Sequence, residues 1–159
     1  MDNPNPQNKK LIDVYPYCIE GNNVEFLLFK RSTDVIYPGQ WRMIGGKVKE
    51  NETRSRAGLR EFREETGGYP LAYWSVPLVN TFYEHQTDTI QHVVAFGAEL
   101  PKDREIVLNY EHETFAWFSA GEAGKHLLWP RQIEIVTWMN DILLQNRISE
   151  DWLIDTISE

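Results

Sequence analysis

The sequence predicts an α+β fold, a mixed β-sheet between helices in an α/β/α sandwich, and three observations carry that prediction. Residues 11–30 and 72–100 are rich in β-branched and aromatic side chains, in runs of strand length. Residues 53–66, and those from 130 onward, instead place apolar side chains at helical spacing. Both kinds of segment occupy one chain of 159 residues without a repeat or low-complexity linker, so residues 1–159 form a single domain.

The elements follow in order. Residues 1–9 are polar and rich in Pro and Asn, and read as a flexible N-terminal tail. Strands over 11–19 and 24–30 flank Glu20-Gly21-Asn22-Asn23, a hairpin signal. A loop over 32–40, with Pro38-Gly39, leads into a short apolar run at 41–44. The helix over 53–66 is stopped by Gly67-Gly68. Long strands over 72–83 and 90–100 surround a polar turn at 86–88, and a loop at 101–104 precedes a strand over 114–118. Ser119-Ala120-Gly121-Glu122 starts a short helix as a capping box. A last helix begins near Pro130, a residue suited to the first turn, and runs through Ile133, Val136, Met139 and Leu143. The acidic tail at 149–159 has no assigned element. The coarse order is β-β-β-α-β-β-β-α.

Composition narrows the function. A net charge of −8 argues against a nucleic-acid polymer as partner, because phosphate backbones select basic surfaces. A small phosphate ester is compatible, since a divalent cation can bridge it to an acidic site. Cys18 is the single cysteine, so no intramolecular disulfide forms, and its apolar surroundings make it a core residue. No apolar stretch approaches the ~18 residues of a membrane span, and Met1-Asp2-Asn3-Pro4 is no signal peptide. A cytoplasmic enzyme with no membrane partner is expected. His85, His92, His112 and His126 have no ligand spacing and read as structural.

The chemistry concentrates in Arg60-Glu61-Phe62-Arg63-Glu64-Glu65. On a helix Glu61, Glu64 and Glu65 share one face with Arg60 at its edge, while Leu59 and Phe62 face the other way. Two carboxylates about 4 Å apart repel by roughly 4 kcal/mol at an effective dielectric near 20. Such a face suits a hard divalent cation, which prefers carboxylate oxygens and water. The ordinary alternative is a solvated charged face. Against it, no lysine stands four residues after Glu61, and Gly45-Gly46 precede the helix.

The spacing G-x5-E-x7-R-E-U-x-E-E-x-G-U, with U a bulky apolar residue, resembles the box of the Nudix hydrolases. Gly46, Glu52, Arg60, Glu61, Phe62, Glu64, Glu65 and Gly67 match it, and Gly68 departs from it where Ile, Leu or Val is usual. Seven fixed positions at average composition arise by chance on the order of 10⁻⁸ times per window. Pro38-Gly39-x-Trp41-x-x-x-Gly45-Gly46 resembles the common lead-in to that box, with Ile44 where proline often stands.

The resemblance implies the Nudix fold and a pyrophosphohydrolase using Mg²⁺, or Mn²⁺ in its place. It would cleave a (deoxy)nucleoside triphosphate or dihydroneopterin triphosphate to a monophosphate and pyrophosphate. Glu61, Glu65 and Glu64 are the implied metal ligands, with the Gly45 carbonyl. Glu61, Glu64 and Arg60 form the implied catalytic group, Arg60 by orienting a glutamate. Gly46, Glu52 and Gly67 are structural. Residues 108–117 resemble a loop of the dihydroneopterin triphosphate pyrophosphohydrolases that supplies a further metal ligand, which maps onto Glu111; an exposed acidic turn is the alternative there. Arg31 and Lys47 are candidates to hold phosphate, and Trp41, Tyr37 and Phe82 to stack on a base or pterin ring. The implied partner is a small nucleotide or pterin triphosphate, with a homodimer left open. The same box also serves nucleoside-diphosphate-sugar or dinucleotide hydrolases, and modules that sense a nucleotide without cleaving it.

Overall fold

Side-chain alternation along two adjacent strands builds both halves of the core. In β1 (Leu11–Glu20), Ile12 and Val14 point to one face of the sheet and Tyr15 and Tyr17 to the other; in β2 (Asn23–Arg31), Leu27 and Phe29 alternate with Phe26 and Leu28 in the same way. The computed structural model describes residues 9–157. Most of the N-terminal tail expected over 1–9, and the last two residues of the acidic tail, lie outside them.

The first face packs on α1 (Arg54–Thr66) through Ala57, Leu59 and Phe62. The second packs on α2 (Ala120–His126) and α3 (Pro130–Leu144) through Ala123, Leu127, Ile135, Val136, Met139 and Leu143. The sandwich expected from the sequence is therefore present. Cys18 is buried, and burial pushes its thiol up to about 11. No helix among the described residues is long and apolar enough to cross a membrane.

Seven strands form one mixed sheet in the order β3-β2-β1-β6-β5, with β4 also on β1 and β7 also on β2. The apolar run expected at 41–44 is two strands: β3 (Trp41–Arg42) pairs with β2, and β4 (Ile44–Lys47) pairs with β1. The chain changes neighbours at Met43, which hydrophobic patterning alone does not reveal. The hairpin of β5 (Ala72–Glu84) and β6 (Thr89–Glu99) slips register between Val76 and Val79, beside Pro77, which has no N–H to donate. β6 pairs with β1 in parallel, and β7 (His112–Ser119) lines the outer edge of β2.

The acidic tail acquires a role. Ser149 caps a 3₁₀ turn at Glu150–Trp152, Trp152 stacks on Trp74 at 6.2 Å, and the Ile154 N–H donates to the Tyr73 carbonyl at 2.9 Å. Residues 152–154 of this tail cover the edge of β5 at Tyr73 and Trp74.

Candidate active site

α1 is delimited by its own sequence. The Thr53 hydroxyl accepts from the Arg56 N–H, and Gly67 closes the helix at φ 77°, a left-handed conformation that costs glycine little. Between these ends, Ala57, Leu59 and Phe62 fix the rotation of the helix against the sheet, so Glu61 turns toward β4 and Glu65 toward His112 of β7. A side chain at Gly46 would run into the Glu61 carboxylate, so the glycine makes room for that group. At Gly68, the departure from the box, the guanidinium of Arg104 lies where a bulkier residue would pack.

Behind this face, Arg60 donates from Nε to Glu52 Oε2 at 2.8 Å, from Nη2 to Glu52 Oε1 at 2.9 Å, and from Nη2 to the Lys47 carbonyl at 3.1 Å. The Arg60 hydrogen bonds hold the Glu52 carboxyl down to about 2. Arg60 Nη1 also lies 3.5 Å from Glu61 and 3.7 Å from Glu64. Burial pushes the Glu61 carboxyl up to about 7, against the pull of Arg60 and with the charges of Glu64 and Glu65 adding to it.

A cleft of about 410 Å³ opens over these residues. Of the expected site residues it gathers Gly45, Gly46, Glu61, Glu65 and Glu111, together with Arg31, Lys47, Tyr37 and Phe82. Arg31 Nε donates to the Ile36 carbonyl at 2.7 Å and so braces the loop that carries Tyr37. The Ser32 N–H donates to the Glu111 carbonyl at 2.9 Å, tying that loop to the segment before β7.

Arg60, expected in the catalytic group, stands behind the cleft with Glu52 and does not line it, and Trp41 and Glu64 lie elsewhere. Trp41 packs edge-on to Phe118 and His126 at 5.2 and 5.8 Å, because its position in β3 turns it into the α2 side of the core. Glu64 is 57% exposed and does not line the cleft; one residue from Glu65 on the helix, it is rotated toward solvent.

The cleft also holds residues the sequence reading passed over. His112, read as structural, lies with Nδ1 3.4 Å from Glu65, and that buried nitrogen has no hydrogen-bond partner. Asp13, Arg42, Asn80, Trp129 and Gln132 also line it. No local motif marks them, since β1, β3, β5 and α3 each contribute one or two.

The carboxylates of Glu61, Glu65 and Glu111 and the backbone of Gly45 provide hard oxygen donors. Among the described residues no three carboxylate, imidazole or thiolate groups converge on one point. That donor set fits Mg²⁺, which takes one or two carboxylates and fills its remaining positions with water and substrate phosphate.

Residues 13–139 match the NUDIX domain family. Nucleoside triphosphatase NudI of Enterobacter sp. (strain 638) is 32% identical over 104 residues, covering 60% of this chain and 74% of that one. The CTP pyrophosphohydrolase of Escherichia coli (strain K12) is 27% identical over 128 residues, covering 80% of this chain and 90% of that one. The dihydroneopterin triphosphate pyrophosphohydrolase of E. coli superposes with a TM-score of 0.68 at 22% identity, over 82% of this chain and 94% of that one, a likeness of fold. With the box, the sandwich and the cleft in agreement, the chain belongs to the Nudix domain family and is a hydrolase of phosphorus-containing acid anhydrides.

Proposed function

We propose that this protein is a Mg²⁺-dependent pyrophosphohydrolase of (deoxy)nucleoside or pterin triphosphates, adding water across a phosphoanhydride to release a monophosphate and pyrophosphate. The observation that carries the reading is the Glu61 carboxylate, seated against Gly46 beside Glu65 in a cleft that also presents Arg31 and Lys47. The names of two relatives, a nucleoside triphosphatase and a CTP pyrophosphohydrolase, support the triphosphate class.

Glu61 and the Gly45 carbonyl, with Glu65 or Glu111 as a second carboxylate, would hold the cation, water and substrate phosphate filling its remaining positions. When bound, Mg²⁺ neutralises charge on the phosphate oxygens and lowers the pKa of water. The protein supplies the rest. Arg60, clamped by Glu52, fixes the helix face and contributes a positive charge beside Glu61. Arg31 and Lys47, which also line the cleft, counter the charge of the triphosphate. His112 lies beside the Glu65 carboxylate, with Nδ1 at 3.4 Å.

The test is product analysis after incubating nucleoside and pterin triphosphates with Mg²⁺. Equimolar monophosphate and pyrophosphate is the expected outcome. Release of orthophosphate with a diphosphate, or no turnover of any triphosphate, overturns the reading.

A further inference from the structure

On the sheet face opposite α1, the cleft ends on a buried carboxyl group. Asp13 stands between Ile12 and Val14, which point toward α1, so its own side chain points to the α3 face with Tyr15 and Tyr17. It is 4% exposed, yet it lines the cleft. Gln132 Nε2, at the start of α3, donates to Asp13 Oδ2 at 2.9 Å. The other oxygen, Oδ1, lies beside Gly45, where a Cβ would sit 3.3 Å away; lacking one, Gly45 leaves it uncovered. No other hydrogen bond reaches the carboxyl from a described side chain, and a buried carboxylate with four lone-pair positions and one donor is under-satisfied. Burial pushes it up to about 6, against the Gln132 hydrogen bond and the Arg42 charge.

That bond also orients Gln132. Its NH₂ must face the carboxylate, since the reverse would set acceptor against acceptor, so Oε1 is the free end of the amide. The protein thus leaves two acceptor oxygens unspent at one place. Around them the walls suit a flat ring. Phe82 and Trp129 lie 4.5 Å apart, and Met43 and Val93 add apolar surface. Asn80 is 3% exposed, and its amide makes no hydrogen bond to another described residue.

We infer that this end of the cleft holds the planar heterocycle of the substrate, and that Asp13 and Gln132 read an exocyclic amino group on it. The inference rests on the proposed function, which puts the phosphates at the Glu61 end. An amino group donates its N–H to the free oxygens and completes the carboxylate's hydrogen bonding. A keto oxygen in the same position meets two acceptors and leaves the carboxylate short of a donor. A site built around a hydrogen bond rejects the analogue lacking it far more strongly than an apolar pocket rejects a size difference.

The test compares ring pairs that differ at one amino group: CTP with UTP, and GTP with ITP. kcat/KM is measured with Mg²⁺, and calorimetry follows binding of the matching monophosphates to metal-free protein. The amino-bearing member is expected to be favoured at least about tenfold in the better-accepted pair, in both measurements. Asp13→Asn, which offers an NH₂ to a keto group, should bring the preference below about threefold; if that variant does not fold, Asp13→Ala, which removes the acceptor oxygens, should do the same. Equal use of both members, preference for the member without the amino group, or a preference that survives both substitutions overturns the inference while hydrolysis itself continues. If no triphosphate is hydrolysed, the proposed function falls, and monophosphate binding still decides this one.

Discussion

Arg60 grips Glu52 through two parallel hydrogen bonds, Nε to Oε2 at 2.8 Å and Nη2 to Oε1 at 2.9 Å, eight residues back along the chain. The pair bolts the loop after β4 to the helix that carries the glutamates. Arg60→Lys replaces a planar fork by a point charge and is expected to cost about 1–3 kcal/mol. Urea unfolding measures this, and a loss below about 0.5 kcal/mol would show that the clamp is ornamental.

Glu61→Gln and Glu65→Gln should each lower kcat/KM by about 100-fold or more, with the far-ultraviolet spectrum unchanged. Glu61→Gln should also unfold at a higher temperature than the parent near pH 8 without cation, because it removes a crowded negative charge. Near-parental turnover in either variant would exclude that residue from the site.

Metal-free stability should fall as pH rises through neutrality. Glu61 is shifted up from 4.5 to about 7 and Asp13 from 3.8 to about 6, so across those windows the folded state holds protons that the unfolded state has released. Their stabilisation is full below about pH 4 and is lost as pH passes the folded values, with Glu61 contributing roughly 2 kcal/mol. Denaturant melts in chelator near pH 5 and pH 8 check the sign, and Glu61→Gln should flatten the upper part of the curve.

Glu111→Ala and Glu64→Ala should part company. Glu111 lines the cleft and Glu64 faces solvent, so the first should lower kcat/KM about tenfold or more and raise the Mg²⁺ requirement. The second should stay within about fivefold. Mg²⁺ titration of turnover separates them, and the reverse ranking would refute the assignment of the cleft.

The acidic wall of the cleft was legible in the sequence because it is local. Glu61, Glu65 and Arg60 lie on one helix, where a period of 3.6 residues sets the geometry. Glu64 shows where that reasoning stops: periodicity puts it on the acidic side, but packing by Phe62 and Leu59 decides which part of that side meets the cleft. The ring-binding end was not legible, since Asp13 and Gln132 are 119 residues apart and meet only through the sheet. Trp41 was misplaced for a related reason. An aromatic residue beside a glycine-rich loop can face ligand or core, and only the pairing of β3 with β2 turns it inward. The strand break at Met43 and the docking of the tail on Trp74 likewise depend on distant partners.

The parallel pairing of β1 with β6 sets a timetable for the nascent chain. Leu11 pairs with Val93 and Tyr17 with Glu99, partners made roughly eighty residues later. At about 5–20 residues per second of synthesis, β1 waits several seconds for its neighbour, with one apolar edge open. β2 and β4 can occupy its other edge in the meantime, both being encoded close by. The most hazardous interval in the life of this protein is therefore the one before residue 99 emerges, when a half-built sheet has a vacancy that any passing strand can fill.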